Sequence, residues 1–208
     1  MKNSKNLASP YQMNPQMLSA DRLLQQNSFR IETENFFKGE PFLHFFEVSN
    51  STLHLINLND IKHNEPIRWE VIPLNINFNI PSFHRTTATE NGNIFVIGGT
   101  SVDSMRKSKA IYQFDPSSKT LTQTSQLIVP RSSHSVLCHK EMIYITGGMT
   151  DNEEVLKKCE VFNPKTLEVT LFASCKYPTT NSCLCAVGED QLVKLGGVFP
   201  NGENNDTI

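Results

Sequence analysis

Pro130-Arg131-Ser132-Ser133-His134-Ser135-Val136-Leu137, the polar turn His139-Lys140-Glu141 and the run Ile143-Tyr144-Ile145-Thr146-Gly147-Gly148 decide how this chain folds. A proline opens the stretch, small and β-prone residues follow, and a run dominated by β-branched and aromatic residues closes on two glycines. That order predicts a β-hairpin whose second strand ends where a side chain would obstruct the backbone.

The pattern occurs three times. Glycine doublets stand at Gly98-Gly99, Gly147-Gly148 and Gly196-Gly197, each 49 residues after the one before, and they use six of the ten glycines. Ile94-Phe95-Val96-Ile97 leads into the first doublet and Leu192-Val193-Lys194-Leu195 into the third. The first run is apolar throughout, as expected of a strand covered on both faces. Upstream stand Pro81-Ser82-Phe83-His84-Arg85 and Pro178-Thr179-Thr180-Asn181, with turns at Asn91-Gly92-Asn93 and Gly188-Glu189-Asp190. Behind the first two doublets come a polar loop, a strand ending in Phe114-Asp115-Pro116 or Phe162-Asn163-Pro164, and a fourth short strand near Leu121 or over 167–172. Asp-Pro and Asn-Pro mark turns. The repeating unit is therefore four antiparallel strands in about 50 residues, a unit that buries its core only by stacking on its neighbours.

These residues resemble the kelch motif: Arg131 and His134 near the first strand, a strand ending in Gly147-Gly148, and a turn at Phe162-Asn163-Pro164. Gly98, Gly99, Phe114, Asp115 and Pro116 fill the preceding repeat, and Leu121 and Val169 stand where kelch repeats often carry tryptophan. The resemblance covers roughly Pro81 to Gly197 and implies an all-β fold: a partial kelch-type β-propeller of about three to four four-stranded antiparallel blades. The implied division is a flexible arm with a possible short helix near 19–26 (1–40), a degenerate blade (41–80), two blades (81–129 and 130–177) and an incomplete blade (178–208). Trp69 would take the outer-strand tryptophan position of the first. With two strands still due at residue 208, the chain is expected to be a piece of a longer protein, or to associate with itself.

Composition narrows the functional classes. With 38% hydrophobic residues, 19% charged residues and a net charge of -2, nothing favours nucleic acid or an anionic membrane as partner. No secretory leader or membrane-spanning run is legible, so a cytoplasmic location is expected. The five cysteines, Cys138, Cys159, Cys175, Cys183 and Cys185, are odd in number and lack a Cys-x-x-Cys pair. They read as reduced, buried, small apolar residues. Cys183 and Cys185 share a strand face, and packing is again the reading for them. His134 is expected to be packed and hydrogen-bonded, and Arg131 to bond backbone carbonyls at a blade end. No catalytic, cofactor or metal-binding residue is expected.

The resemblance implies a non-catalytic protein-interaction module, with a kelch-fold oxidase or sugar-modifying enzyme, or a ubiquitin-ligase substrate receptor within a longer chain, as alternatives. In an up-and-down blade the link between strands two and three emerges on the same face as the link into the next blade. Loops 100–109 and 149–158 should therefore lie side by side. Their charged residues, Asp103, Arg106, Lys107 and Lys109 in one and Asp151, Glu153, Glu154, Lys157 and Lys158 in the other, are the expected contacts to another protein.

Overall fold

The structure, a computed structural model, describes the backbone of residues 30–32 and residues 42–61 and 65–205. Among the described residues are fourteen strands and one 3-10 turn, Leu58–Asp60. The first sheet is β1 (Arg30–Glu32), β2 (Phe42–Glu47), β3 (Thr52–Asn57) and β4 (Glu70–Pro73). The second is β5 (Arg85–Ala88), β6 (Ile94–Ile97), β7 (Ala110–Asp115) and β8 (Thr120–Gln126). The third is β9 (Ser135–His139), β10 (Met142–Thr146), β11 (Cys159–Asn163) and β12 (Glu168–Phe172), and the last is the pair β13 (Cys183–Val187) and β14 (Gln191–Leu195). Every sheet runs in chain order with antiparallel neighbours. Of the stretch expected to be an arm, Arg30–Glu32 instead pairs with β2 as an edge strand. The helix expected near 19–26 lies outside the described residues.

Successive sheets meet through their first strands: β1 touches β5, β5 touches β9, and β9 touches β13. This is a radial arrangement with the first strands innermost. Between sheets lie the cores. Phe46, Leu53 and Leu55 of the first sheet pack on Ala88, Ile94, Val96, Phe114 and Leu121 of the second. Phe95, Ile97 and Ile111 of the second pack on Ile143, Ile145 and Phe162 of the third. Strand β6 explains its own unbroken apolar run: Ile94 and Val96 serve one core, Phe95 and Ile97 the other, because side chains alternate across a strand. Phe114 meets Phe46 edge-on at 5.9 Å, and Phe162 meets Phe95 edge-on at 5.4 Å. Each fully buried side chain of this size contributes about 1.5–3 kcal/mol.

The glycine doublets are where sheets join. A Cβ on Gly98, whose φ is +58°, would lie 2.7 Å from the Arg131 carbonyl oxygen and 2.8 Å from His134 Cε1, both in the approach to the next sheet. A Cβ on Gly99 would meet the Ser82 carbonyl oxygen at 2.7 Å, in the approach to its own sheet. Gly147 and Gly148 repeat the division, against Thr179 and Ser132 respectively. The Gly99 N–H donates to Arg131 O at 2.9 Å and the Gly148 N–H to Thr179 O at 3.1 Å, tying each sheet to the next. At Gly197 the nearest atom to a Cβ would be Thr180 O at 2.6 Å, whereas at Gly196 it would be Asn205 O at 3.9 Å.

The first sheet is out of step with the others. Asn75 donates its N–H to Lys119 O at 2.8 Å, in the β7–β8 turn, while Asn79 Nδ2 donates to Asp103 Oδ1 at 2.9 Å, in the β6–β7 loop. These two partners sit at opposite ends of the second sheet. The chain therefore leaves β4 at the wrong end and runs along the sheet before β5 begins, placing Ile76, Phe78 and Ile80 on the core and stacking Phe78 on Tyr112 at 5.0 Å. Trp69 lies just ahead of β4 and meets Phe45 edge-on at 5.2 Å.

Candidate functional site

The loops behind the three doublets share one backbone design. Thr100 bridges Ser82 and Lys107, Met149 bridges Ser132 and Val155, and Val198 bridges Thr180 and Asn204. Each loop folds back on its doublet: Ser108 N–H donates to Gly99 O (2.7 Å), Leu156 N–H to Gly148 O (2.8 Å) and Asn205 N–H to Gly197 O (2.8 Å). The tips close through Ser101 N–H to Arg106 O, Thr150 N–H to Glu154 O and Phe199 N–H to Glu203 O. A common frame thus displays different side chains. The third loop, with Asn201 and Glu203 exposed, went unread in the sequence although the 49-residue period locates it.

Asp151 welds the first two loops together. Its Oδ1 accepts the Lys107 N–H at 2.7 Å, and its Oδ2 lies 3.8 Å from Arg106 Nη1. Lys107 Nζ donates to Thr100 Oγ1 at 3.2 Å. Asp103, Arg106, Glu153 and Glu154 are exposed around this joint. Two apolar side chains not foreseen from sequence stand among them, Met105 at 72% exposure and Val102 at 42%. The remaining expected residues lie elsewhere. Lys109, Lys157 and Lys158 sit at the bases of the third strands, where their carbonyls accept Leu127 N–H (2.7 Å), Cys175 N–H (2.9 Å) and Arg131 Nη1 (2.9 Å). Their side chains are exposed.

At the inner ends of the sheets, on the same side as these loops, Phe83, Ser133 and Asn181 adopt one left-handed conformation with φ of 55°, 54° and 53°. Ser133 N–H donates to Phe83 O at 3.1 Å and Asn181 N–H to Ser133 O at 2.8 Å, so the backbone steps from sheet to sheet around the axis. Arg85 Nη2 reaches Asn181 Oδ1 at 3.3 Å, and the Phe83 ring is 44% exposed.

Beneath the surface the motif residues hold the sheets in place. Arg131 is fully buried and donates from Nη1 to Gly147 O and Lys158 O, both at 2.9 Å, as the sequence led us to expect. Its Nη2 also meets Glu160 Oε1 at 2.5 Å, a partner sequence reading missed. Glu160 is equally buried and accepts Ile128 N–H (2.7 Å) and Val129 N–H (3.0 Å). Desolvation pushes the Arg131 pKa down against the opposing charge of Glu160, yet a guanidinium stays ionised in any protein setting. His84 donates from Nδ1 to Pro81 O at 2.7 Å, and burial, reinforced by Arg85, brings its pKa down to about 4. His134 departs from expectation: it is buried, but neither ring nitrogen has a hydrogen-bond partner among the described residues. Burial, with the charges of Arg85 and Arg131, holds it well below the usual histidine range. Its ring instead fills the space left by Gly98. Asp115 and Asn163 each accept from the backbone two residues on, Ser117 N–H and Lys165 N–H at 2.9 Å, which fixes the turns at Pro116 and Pro164.

The cysteines also differ from expectation. Only Cys159 is buried, Cys183 is exposed, and Cys159 and Cys175 lie in contact. No described helix is long and apolar enough to cross a membrane.

Radially stacked four-stranded antiparallel sheets, joined at their first strands, define an arc of a β-propeller. A solved structure described as "Structure of YjhT" shares the fold, with a TM-score of 0.67 at 12% identity over 86% of this chain and 58% of that one. Residues 130–176 match the family model for the Kelch motif. Relatives include "Kelch-like protein 41b" of Danio rerio (28% identical over 109 residues, 52% of this chain, 18% of the relative). "Spermatocyte protein spe-26" of Caenorhabditis elegans is 30% identical over 122 residues (57% and 21%), and "Alpha-scruin" of Limulus polyphemus 28% identical over 115 (53% and 12%). The matched region is thus between 12 and 21% of the length of these relatives.

Proposed function

We propose that this chain is a protein-interaction module that binds another protein through the face built by its doublet loops and the inner strand ends. The observation that carries this reading is the Asp151 bridge to Lys107 and Arg106, which turns two loops of adjacent sheets into one surface. On that face Met105, Val102 and Phe83 are exposed apolar groups, and Asp103, Arg106, Glu153 and Glu154 are exposed charged ones. Apolar anchors with a charged rim are the usual composition of a recognition patch. The match of residues 130–176 to the Kelch motif, whose repeats typically mediate protein contacts, supports the same reading.

The test is capture of a stoichiometric partner by the immobilised chain, followed by titration of the purified pair. Met105→Ala with Arg106→Glu should weaken binding at least about tenfold, the loss expected for a central contact. Lys165→Glu, in the β11–β12 turn at the opposite end of the sheets, should leave it unchanged. Equal loss from both variants, or loss from Lys165→Glu alone, would place the partner elsewhere.

A further inference from the structure

Two thiols that sequence spacing does not associate come together at the edge of the third sheet. Cys159 opens β11 opposite Phe172, the last residue of β12. The chain then turns, and Cys175 donates its N–H to Lys157 O at 2.9 Å, continuing the pairing one step further. This sets Cys175 Sγ 3.3 Å from Cys159 Sγ. Cys159 is 3% exposed, while Cys175 is half-buried and lines a cavity of about 400 Å³ with Tyr177, Thr179, Val193 and Lys194.

The two sulfurs are in different chemical states. The hydrogen bond from Cys159 lowers the Cys175 pKa to about 6, assisted by the nearby charges of Lys194 and Arg131 and opposed by burial. The same hydrogen bond, with desolvation, drives Cys159 upward. Cys175, whose pKa is lowered and whose side chain lines the cavity, is the more nucleophilic of the two sulfurs.

We propose that Cys175 and Cys159 form an oxidation site for a small hydroperoxide, with Cys175 as the attacking sulfur and Cys159 as the resolving one. Cys175 thiolate attacks one peroxide oxygen; an S–O bond forms, the O–O bond breaks, and the leaving oxygen departs as hydroxide, which takes up a proton to become water. Cys159 then loses its proton and attacks Cys175 sulfur; the S–S bond forms, the S–O bond breaks, and a second water leaves. The two thiols together lose two electrons and two protons, and hydrogen peroxide is reduced to two waters. Closing from 3.3 Å to a bond of about 2.05 Å requires a side-chain movement of about 1.3 Å. The bond would staple the start of β11 to the link that leads into β13, independently of anything bound at the loop face.

The experiment is treatment of the folded chain with near-stoichiometric hydrogen peroxide, alkylation of remaining thiols, and non-reducing peptide mapping. A Cys159–Cys175 linked peptide, lighter by two hydrogen atoms, should appear first, with Cys138, Cys183 and Cys185 still alkylated. In Cys159→Ser no internal disulfide should form and Cys175 should accumulate as a sulfenic acid trapped by a 1,3-dione. The unsubstituted protein gives a second measurement. At pH 6 Cys175 should attack a small aromatic disulfide about tenfold faster than an ordinary cysteine peptide, the gain in thiolate being partly offset by lower intrinsic nucleophilicity. A first-formed Cys183–Cys185 bond, linkage between chains in place of the internal one, or a Cys175 profile that rises only above pH 8 would each overturn the proposal.

Discussion

Replacing Glu160 with glutamine keeps the size of the side chain and removes its charge, which isolates what the buried ion pair does. In the native protein Oε1 accepts from Arg131 Nη2 and Val129 N–H, and Oε2 accepts from Ile128 N–H. Glutamine has one oxygen for these three donors, so its amide nitrogen must face at least one of them. Arg131, fully buried, loses its counter-charge at the same time. Breaking one side of such a pair costs about 3–5 kcal/mol. With a urea m value on the order of 2–3 kcal/mol/M, the unfolding midpoint should fall by about 1–2 M with the slope preserved. In a thermal scan the same loss is about 6–20 °C. Arg131→Met should cost a similar amount, since it also leaves Gly147 O and Lys158 O without a donor. Arg131→Met with Glu160→Gln should cost less than the two single changes together, by on the order of 2 kcal/mol, because neither partner is left as a lone buried charge. A glutamine variant within about 1 kcal/mol of the parent, or strict additivity in the cycle, would refute the assignment of this pair as the joint that holds the third sheet to the link before it.

Other outcomes follow from the same geometry. Gly98→Ala forces a Cβ against Arg131 O and His134, whereas Gly188→Ala, at a φ of 62°, meets nothing within 4 Å. The second should cost only the left-handed strain of about 1–2 kcal/mol and the first clearly more, as read by urea midpoints; equal losses would show that the seam is not close-packed. Phe162→Ala should cost about 3–5 kcal/mol by emptying the core between the second and third sheets. For pH, the unfolded chain protonates His84 below about 6.5, while the folded chain resists until about 4. Stability from this group is complete above that window and is lost as pH falls through it, at about 1.4 kcal/mol per pH unit. His134, also held low, adds in the same direction. Urea midpoints between pH 7 and pH 5 should therefore slope downward, and less steeply in His84→Gln; a flat profile would contradict the neutral burial of these rings.

What the sequence disclosed depended on whether a residue type carries its reason with it. Gly98-Gly99 and Gly147-Gly148 were legible because only glycine tolerates both the left-handed backbone and an approach under 3 Å. Pro116 and Pro164 marked their turns for a similar reason. Glu160 was not legible, because an acidic residue inside a strand reads as solvent-facing unless its buried cation is known. Cys159 and Cys175 are separated by a strand and a turn, and their meeting depends on Cys175 returning to Lys157, which no local pattern announces. The step along 75–80 was equally hidden, since that segment has no glycine punctuation and alternates like an ordinary strand. At the loop face, charge identified Asp103, Arg106, Lys107, Asp151, Glu153 and Glu154 as loop residues, but it could not separate them from Lys109, Lys157 and Lys158 at the strand bases, nor pick out Met105.

The two glycines of a doublet answer to different stretches of chain, Gly98 to Arg131 and His134 ahead of it, Gly99 to Pro81 and Ser82 behind it. A graft cut to the 49-residue period would therefore always carry one half of a joint whose mate stays with the recipient. Transplanting the second sheet into another such chain has to take everything from Pro81 through His134, overlapping its neighbour, so these units lie shingled like roof tiles and not end to end.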